Sequence, residues 1–95
     1  MTAYVVADID VTDTTQYERY KALSPGAVAA AGGRFVARGG TVAPLEGGWT
    51  PTRLVIIEFP DLAAAKRFYD SPLYREARNA RDGAARFRMI AVEGL

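Results

Sequence analysis

Apolar positions alternate with polar ones in four stretches of the chain and recur at helical spacing in the segments between them. Ala3 to Ile9 is rich in β-formers and turns polar at its end, the pattern of a first strand. Thr12, Asp13 and Thr14 offer N-caps for a helix in which Tyr17, Tyr20 and Leu23 recur at spacing three on one face. Ser24-Pro25 is expected to interrupt that helix, with Ser as cap and Pro as first residue of a shorter segment through Val28 to Ala31, stopped by Gly32-Gly33. Arg34 to Arg38 reads as a second strand and Arg53 to Phe59 as a third. Pro60-Asp61 ends the third strand and caps a helix with the stripe Leu62, Ala65, Phe68 and Tyr69. Ser71-Pro72 repeats the Ser-cap, Pro-first pattern and predicts a further helical segment from Pro72 to Arg81, ending at Asp82-Gly83, before a last strand from Phe87 to Glu93. Strand, helix, strand, strand, helix, strand is the α+β, ferredoxin-like βαββαβ order: one four-stranded antiparallel sheet with its helices on one face. No residue-level repeat relates the two halves.

Strand phase assigns the faces, because alternate side chains of a strand point to opposite sides. One phase is almost purely apolar: Val5, Ala7 and Ile9; Phe35 and Ala37; Val55, Ile57 and Phe59; Phe87, Met89 and Ala91. It is expected beneath the helices. The other mixes aliphatics with charge: Tyr4, Val6 and Asp8; Val36 and Arg38; Leu54, Ile56 and Glu58; Arg88, Ile90 and Val92. A monomer would expose those aliphatics as a patch of the order of several hundred Å², the kind that marks an interaction site. The economical cover is a second copy of the same sheet, in a two-fold homodimer whose paired sheets enclose a barrel-like interior. Asp8, Arg38 and Arg88 fall near one end of their strands, where they are placed to pair, and Glu58 falls near the other.

Composition removes more chemistry than it adds. At 95 residues without linker-like segments the chain is expected to form a single domain over residues 1–95, a size that oligomerisation helps to stabilise. Twelve Lys and Arg against eleven Asp and Glu give +1 with no basic run, which argues against a nucleic-acid partner. The apolar start is short and broken by Asp8, so neither a signal peptide nor a membrane span is expected, and the cytoplasm is the expected location. With no Cys and no His, disulfides, thiolate nucleophiles, imidazole bases and the usual metal and haem ligands are missing; no metal and no cofactor is expected.

Several spaced motifs carry a resemblance: Tyr17 and Tyr20, Gly32-Gly33-Arg34-Phe35, Ala37-Arg38-Gly39-Gly40, Leu45-Glu46-Gly47, Arg53, Glu58-Phe59, and Ser71-Pro72-Leu73-Tyr74. Together, over nearly the whole chain, they resemble the small bacterial family labelled domain of unknown function 1330. The resemblance implies a dimeric α/β barrel, in agreement with the strand phases, and implies no reaction.

The candidate chemistry gathers around the glycine-rich loop. Arg38 precedes Gly39-Gly40, where backbone without side chains lets a ligand approach, and its guanidinium offers a bidentate fork to a carboxylate. The alternative is a salt bridge from Arg38 to Asp8, to Glu58 or to the partner subunit. The glycine run lacks both the Gly-Lys-Ser/Thr ending of a phosphate loop and the dinucleotide fingerprint. Trp49 is placed to fold over a pocket, to reach across to the partner subunit or to plug the end of its own core. Tyr17, Tyr20, Tyr69 and Tyr74 are placed either to donate protons or stack on an aromatic ligand or, at their helical spacing, to pack in the core with their hydroxyls reaching solvent. Tyr4 joins the candidate set, with Asp8 and Glu58 as the carboxylates nearest an apolar environment, too far apart to act as an acid–base pair and open to the alternative of ion pairing with arginines. The candidate substrate-binding set is therefore Arg38, Gly39, Gly40, Trp49, Tyr4, Asp8, Glu58 and Tyr74, with no catalytic assignment. Two functions fit it: a cofactor-independent enzyme acting on a small acidic or aromatic metabolite, or a non-catalytic small-molecule-binding or structural dimer module.

Overall fold

A computed structural model describes all residues, 1–95. The elements run β1 (Ala3–Val11), α1 (Thr14–Ala30), β2 (Arg34–Arg38), β3 (Arg53–Phe59), α2 (Leu62–Asp70), α3 (Pro72–Ala80) and β4 (Ala85–Glu93). The strands form one antiparallel sheet in the order β2-β3-β1-β4, with the helices on one face: the α+β ferredoxin-like fold. Its core is the expected apolar phase, Val5, Ala7, Ile9, Val55, Ile57 and Phe59, closed by Tyr17, Tyr20, Val28, Phe68, Tyr74 and small helical alanines. Each helix starts where a side chain can accept from a free N–H. Asp13 caps α1 through Gln16 N at 3.0 Å, Asp61 caps α2 through Ala64 N at 2.7 Å, and Ser71 caps α3 through Tyr74 N at 3.2 Å. Ser71 Oγ also donates to Phe68 O at 2.8 Å, so one hydroxyl closes α2 and opens α3. No helix is long and apolar enough to cross a membrane.

Two local expectations are corrected. The first is the break at Ser24-Pro25: α1 continues as one helix of 17 residues with Pro25 inside it. Proline has no N–H, so the carbonyl four residues earlier, on Lys21, loses its helical donor. Arg38 replaces it, Nη2 donating to Lys21 O at 2.9 Å. Burial of Tyr17, Tyr20, Ser24, Ala27 and Val28 along one side holds the helix together across the proline.

The second is the phase of β2. Phe35 stands opposite Ile57, but Ala37 stands opposite Ile56 and Arg38 opposite Val55, because a bulge at Val36 inserts one extra residue into this edge strand. From that point inside and outside exchange. Ala37 moves to the open face, and Arg38 moves to the helix side.

Candidate functional site

The bulge brings Arg38 to the end of the space between α1 and the sheet. Arg53, first residue of β3 and in phase with Val55, enters the same place from the next strand. Its Nε donates to Tyr17 Oη at 3.2 Å, and its guanidinium carbon lies 5.6 Å from the Tyr17 ring centroid. Arg38 rests on Phe35, 4.5 Å from the ring centroid. Gly39 makes the arrangement possible: its φ is +74°, and a β-carbon there would collide with Arg53 Nη1. Gly40 has no such duty, since a β-carbon on it would meet nothing.

Ser24, Tyr17, Tyr20, Arg38 and Arg53 surround a cavity of about 10 Å³ here, room for roughly one water. A ligand of any size must therefore sit at the mouth, where Arg38 and Gly39 are exposed. Neither arginine has a carboxylate within ion-pair distance; the ion pairs of the chain use Glu18, Glu58, Asp10 and Asp8 with other cations. Two permanent charges therefore stand at one cleft end uncompensated, beside a phenol. Burial raises the Tyr17 pKa against the opposing pull of Arg53, so the phenol is neutral in ordinary buffers. Because Tyr17 Oη accepts from Arg53, its own proton is free to be donated elsewhere. This group can bind and polarise a carboxylate or stabilise an oxyanion.

The other candidates lie apart from it. Asp8 is on the open face, where Oδ2 accepts from Arg88 Nη2 at 2.6 Å and from Trp49 Nε1 at 3.1 Å. Those two bonds, that of Arg88 first, hold its carboxyl below the ordinary range. Trp49 thus lies over the open face on the Asp8 side, more than half exposed, and neither plugs the core nor walls the Arg38 cleft. Glu58 is on the same face at the opposite end, bonded to Arg34, with Tyr4 its cross-strand neighbour. The alternative pairing of Arg38 with Asp8 or Glu58 is not made, because the bulge puts the sheet between them.

Tyr74 is fully buried, its hydroxyl 2.7 Å from that of Tyr20 and donating to Met89 Sδ at 3.7 Å. It is a packing residue beneath Phe68, with ring centroids 4.3 Å apart. Of the sequence candidates, Arg38 and Gly39 meet at the cleft, while Asp8, Trp49, Tyr4 and Glu58 share the far face. Arg53 and Tyr17 complete the cleft. The sequence carried a signal for Arg53, a charge in the apolar phase of β3.

The structural neighbours share this architecture. A profile of the domain of unknown function DUF1330 matches residues 2–95. The chain belongs to the DUF1330 family. No curated protein matches it. Among solved structures, a protein of unknown function from Rhodopseudomonas palustris is 24% identical, with a TM-score of 0.77 over 99% of this chain and 82% of that one. A dimeric ferredoxin-like protein of unknown function from Jannaschia sp. CCS1 is 13% identical, with a TM-score of 0.71 over 99% and 100% of the two chains. SnoaB, a cofactor-independent oxygenase from Streptomyces nogalater, is 16% identical, with a TM-score of 0.69 over 99% and 93%. At these identities the likeness is one of fold.

Proposed function

We propose that this DUF1330 protein is a homodimer of single-domain subunits that binds a small carboxylate-bearing or aromatic metabolite at the mouth of the α1 cleft and acts on it without a cofactor. One observation carries the binding site: Arg38 and Arg53 converge beside the Tyr17 hydroxyl with no carboxylate to neutralise them. A ligand carboxylate supplies the missing charge, Arg forks set its plane, and a neutral phenol donates to a neighbouring oxygen. Catalysis draws its support from the fold shared with a cofactor-independent oxygenase. The dimer draws support from the aliphatic open face, on which Ile90 is 66% and Val92 48% exposed, and from dimeric relatives of the same fold.

Binding is tested by titrating wild type, Arg38→Lys, Arg38→Met and Arg53→Met with a panel of aromatic acids, with thermal melts alongside. Each Met variant is expected to lose about tenfold or more in affinity, the size of one charge-assisted contact, and Lys to lose less. Equal affinity in wild type and both Met variants would remove the site. Consumption of the bound acid under air, with no added cofactor, separates an enzyme from the second reading, a binding module that releases the acid unchanged.

A further inference from the structure

A second space opens between the helices and the sheet, next to the α1 cleft. Between α2 and the free edge strand β4 lies a groove of about 590 Å³, a volume in the range that holds small molecules. The cleft under α1 shares Phe68 and Met89 with it as a common wall but has almost no free volume. Most of its lining residues are apolar, among them Phe87 and Met89 from β4 and Phe68 and Tyr69 from α2. Its charged groups are Lys66, Asp70 and Arg81. No ion pair joins any of the three, so two cations and one carboxylate leave the groove with a net positive charge, and of the two cations Arg81 is the one held in place by aromatic rings.

Arg81 is also unusually prepared. Its guanidinium carbon lies 3.6 Å from the centroid of Phe87 and 5.3 Å from that of Tyr20. Its Nε is buried and has no hydrogen-bond partner. Ring stacking alone therefore orients the fork, and engaging an acceptor would break no existing side-chain bond. One oriented positive charge beside the apolar side chains of a groove is complementary to a monoanion with a hydrocarbon body.

We propose that the α2–β4 groove is a second binding site, for an aromatic or acyl monocarboxylate, with the carboxylate on Arg81 and the hydrocarbon against Tyr69, Phe87 and Met89. The site does not depend on Arg38 or Arg53. It is tested with 2-naphthoate and its neutral counterpart 2-naphthalenemethanol, titrated calorimetrically into wild type, the double variant Arg38→Met/Arg53→Met, and that double variant carrying Arg81→Gln or Ala91→Trp. Ala91 is an exposed small residue at the groove, so the indole added there fills space while removing nothing.

Wild type is expected to prefer the acid by about tenfold, the worth of one charge-assisted bond. In the Arg38→Met/Arg53→Met background, which disables the α1 cleft, Arg81→Gln should abolish that preference and leave the alcohol bound as before, and Ala91→Trp should lose both ligands. The double variant should keep the groove affinity. Unchanged naphthoate binding on adding Arg81→Gln and Ala91→Trp would overturn the proposal, and loss already complete in the double variant would place the acid in the α1 cleft instead. Should Arg81→Gln fail to fold, the Ala91→Trp result alone decides whether the groove is the site.

Discussion

Arg38 and Pro25 are thirteen residues apart and solve one problem together, the Lys21 carbonyl that proline leaves without its helical donor. Arg38→Met is expected to cost about 1 kcal/mol in chemical denaturation, the usual net worth of such a bond. In a Pro25→Ala background the helix supplies its own N–H, so the same substitution should cost close to nothing; an equal cost in both backgrounds would dissociate the two residues. This partnership was illegible in the sequence, because proline's effect is local while its remedy comes from another strand. Arg53 was legible by phase, whereas its packing against Gly39 required the fold. The buried hydroxyls predict a pH dependence. Burial raises the pKa of Tyr20 and of Tyr17 above the ordinary Tyr value of about 10. A raised folded-state value makes a contribution to stability that is complete below the unfolded pKa and fades as pH rises toward the folded one. Melting temperature should therefore fall above about pH 10, and less steeply in Tyr20→Phe, which has one phenol fewer to ionise.

At the level of elements, all four strands and the capped helices could be read from alternation, spacing and cap residues, since each of those signals is local. Strand ends moved by two residues at β1 and β4, where pairing between them extends both. The phase of β2 could not be read, because a bulge in a five-residue edge strand leaves no mark in an alternation that short. That single insertion decides which side of the sheet receives a guanidinium, and with it the make-up of the cleft. The Ser71 junction is the clearest local device, one hydroxyl serving two helix ends. Ser71→Ala should lower stability by roughly 0.5 to 2 kcal/mol. An unmoved denaturation midpoint would mean that backbone and water satisfy those groups equally well.

For the whole molecule, the division of labour runs through the thickness of one sheet. The helix side holds the cations without partners, and the open side holds Asp8–Arg88, Asp10–Arg86 and Glu58–Arg34 set among aliphatics. Ile56→Asp would bury an unpaired carboxylate between two such faces and is expected to yield monomer or insoluble protein in light scattering. A wild type that is monomeric at micromolar concentration would remove the dimer. Trp49 is the chain's sole tryptophan, and its bond to Asp8 makes it a natural optical reporter for that face. Excitation beyond tyrosine absorption lights this indole and none of the phenols of the cleft. Closure against a second sheet should move its emission to the blue and shield it from iodide as concentration rises. A ligand across the sheet should leave the spectrum still. Acid should redden it only after the pH has dropped below the ordinary carboxylate range, when Asp8 takes up its proton and lets the indole go.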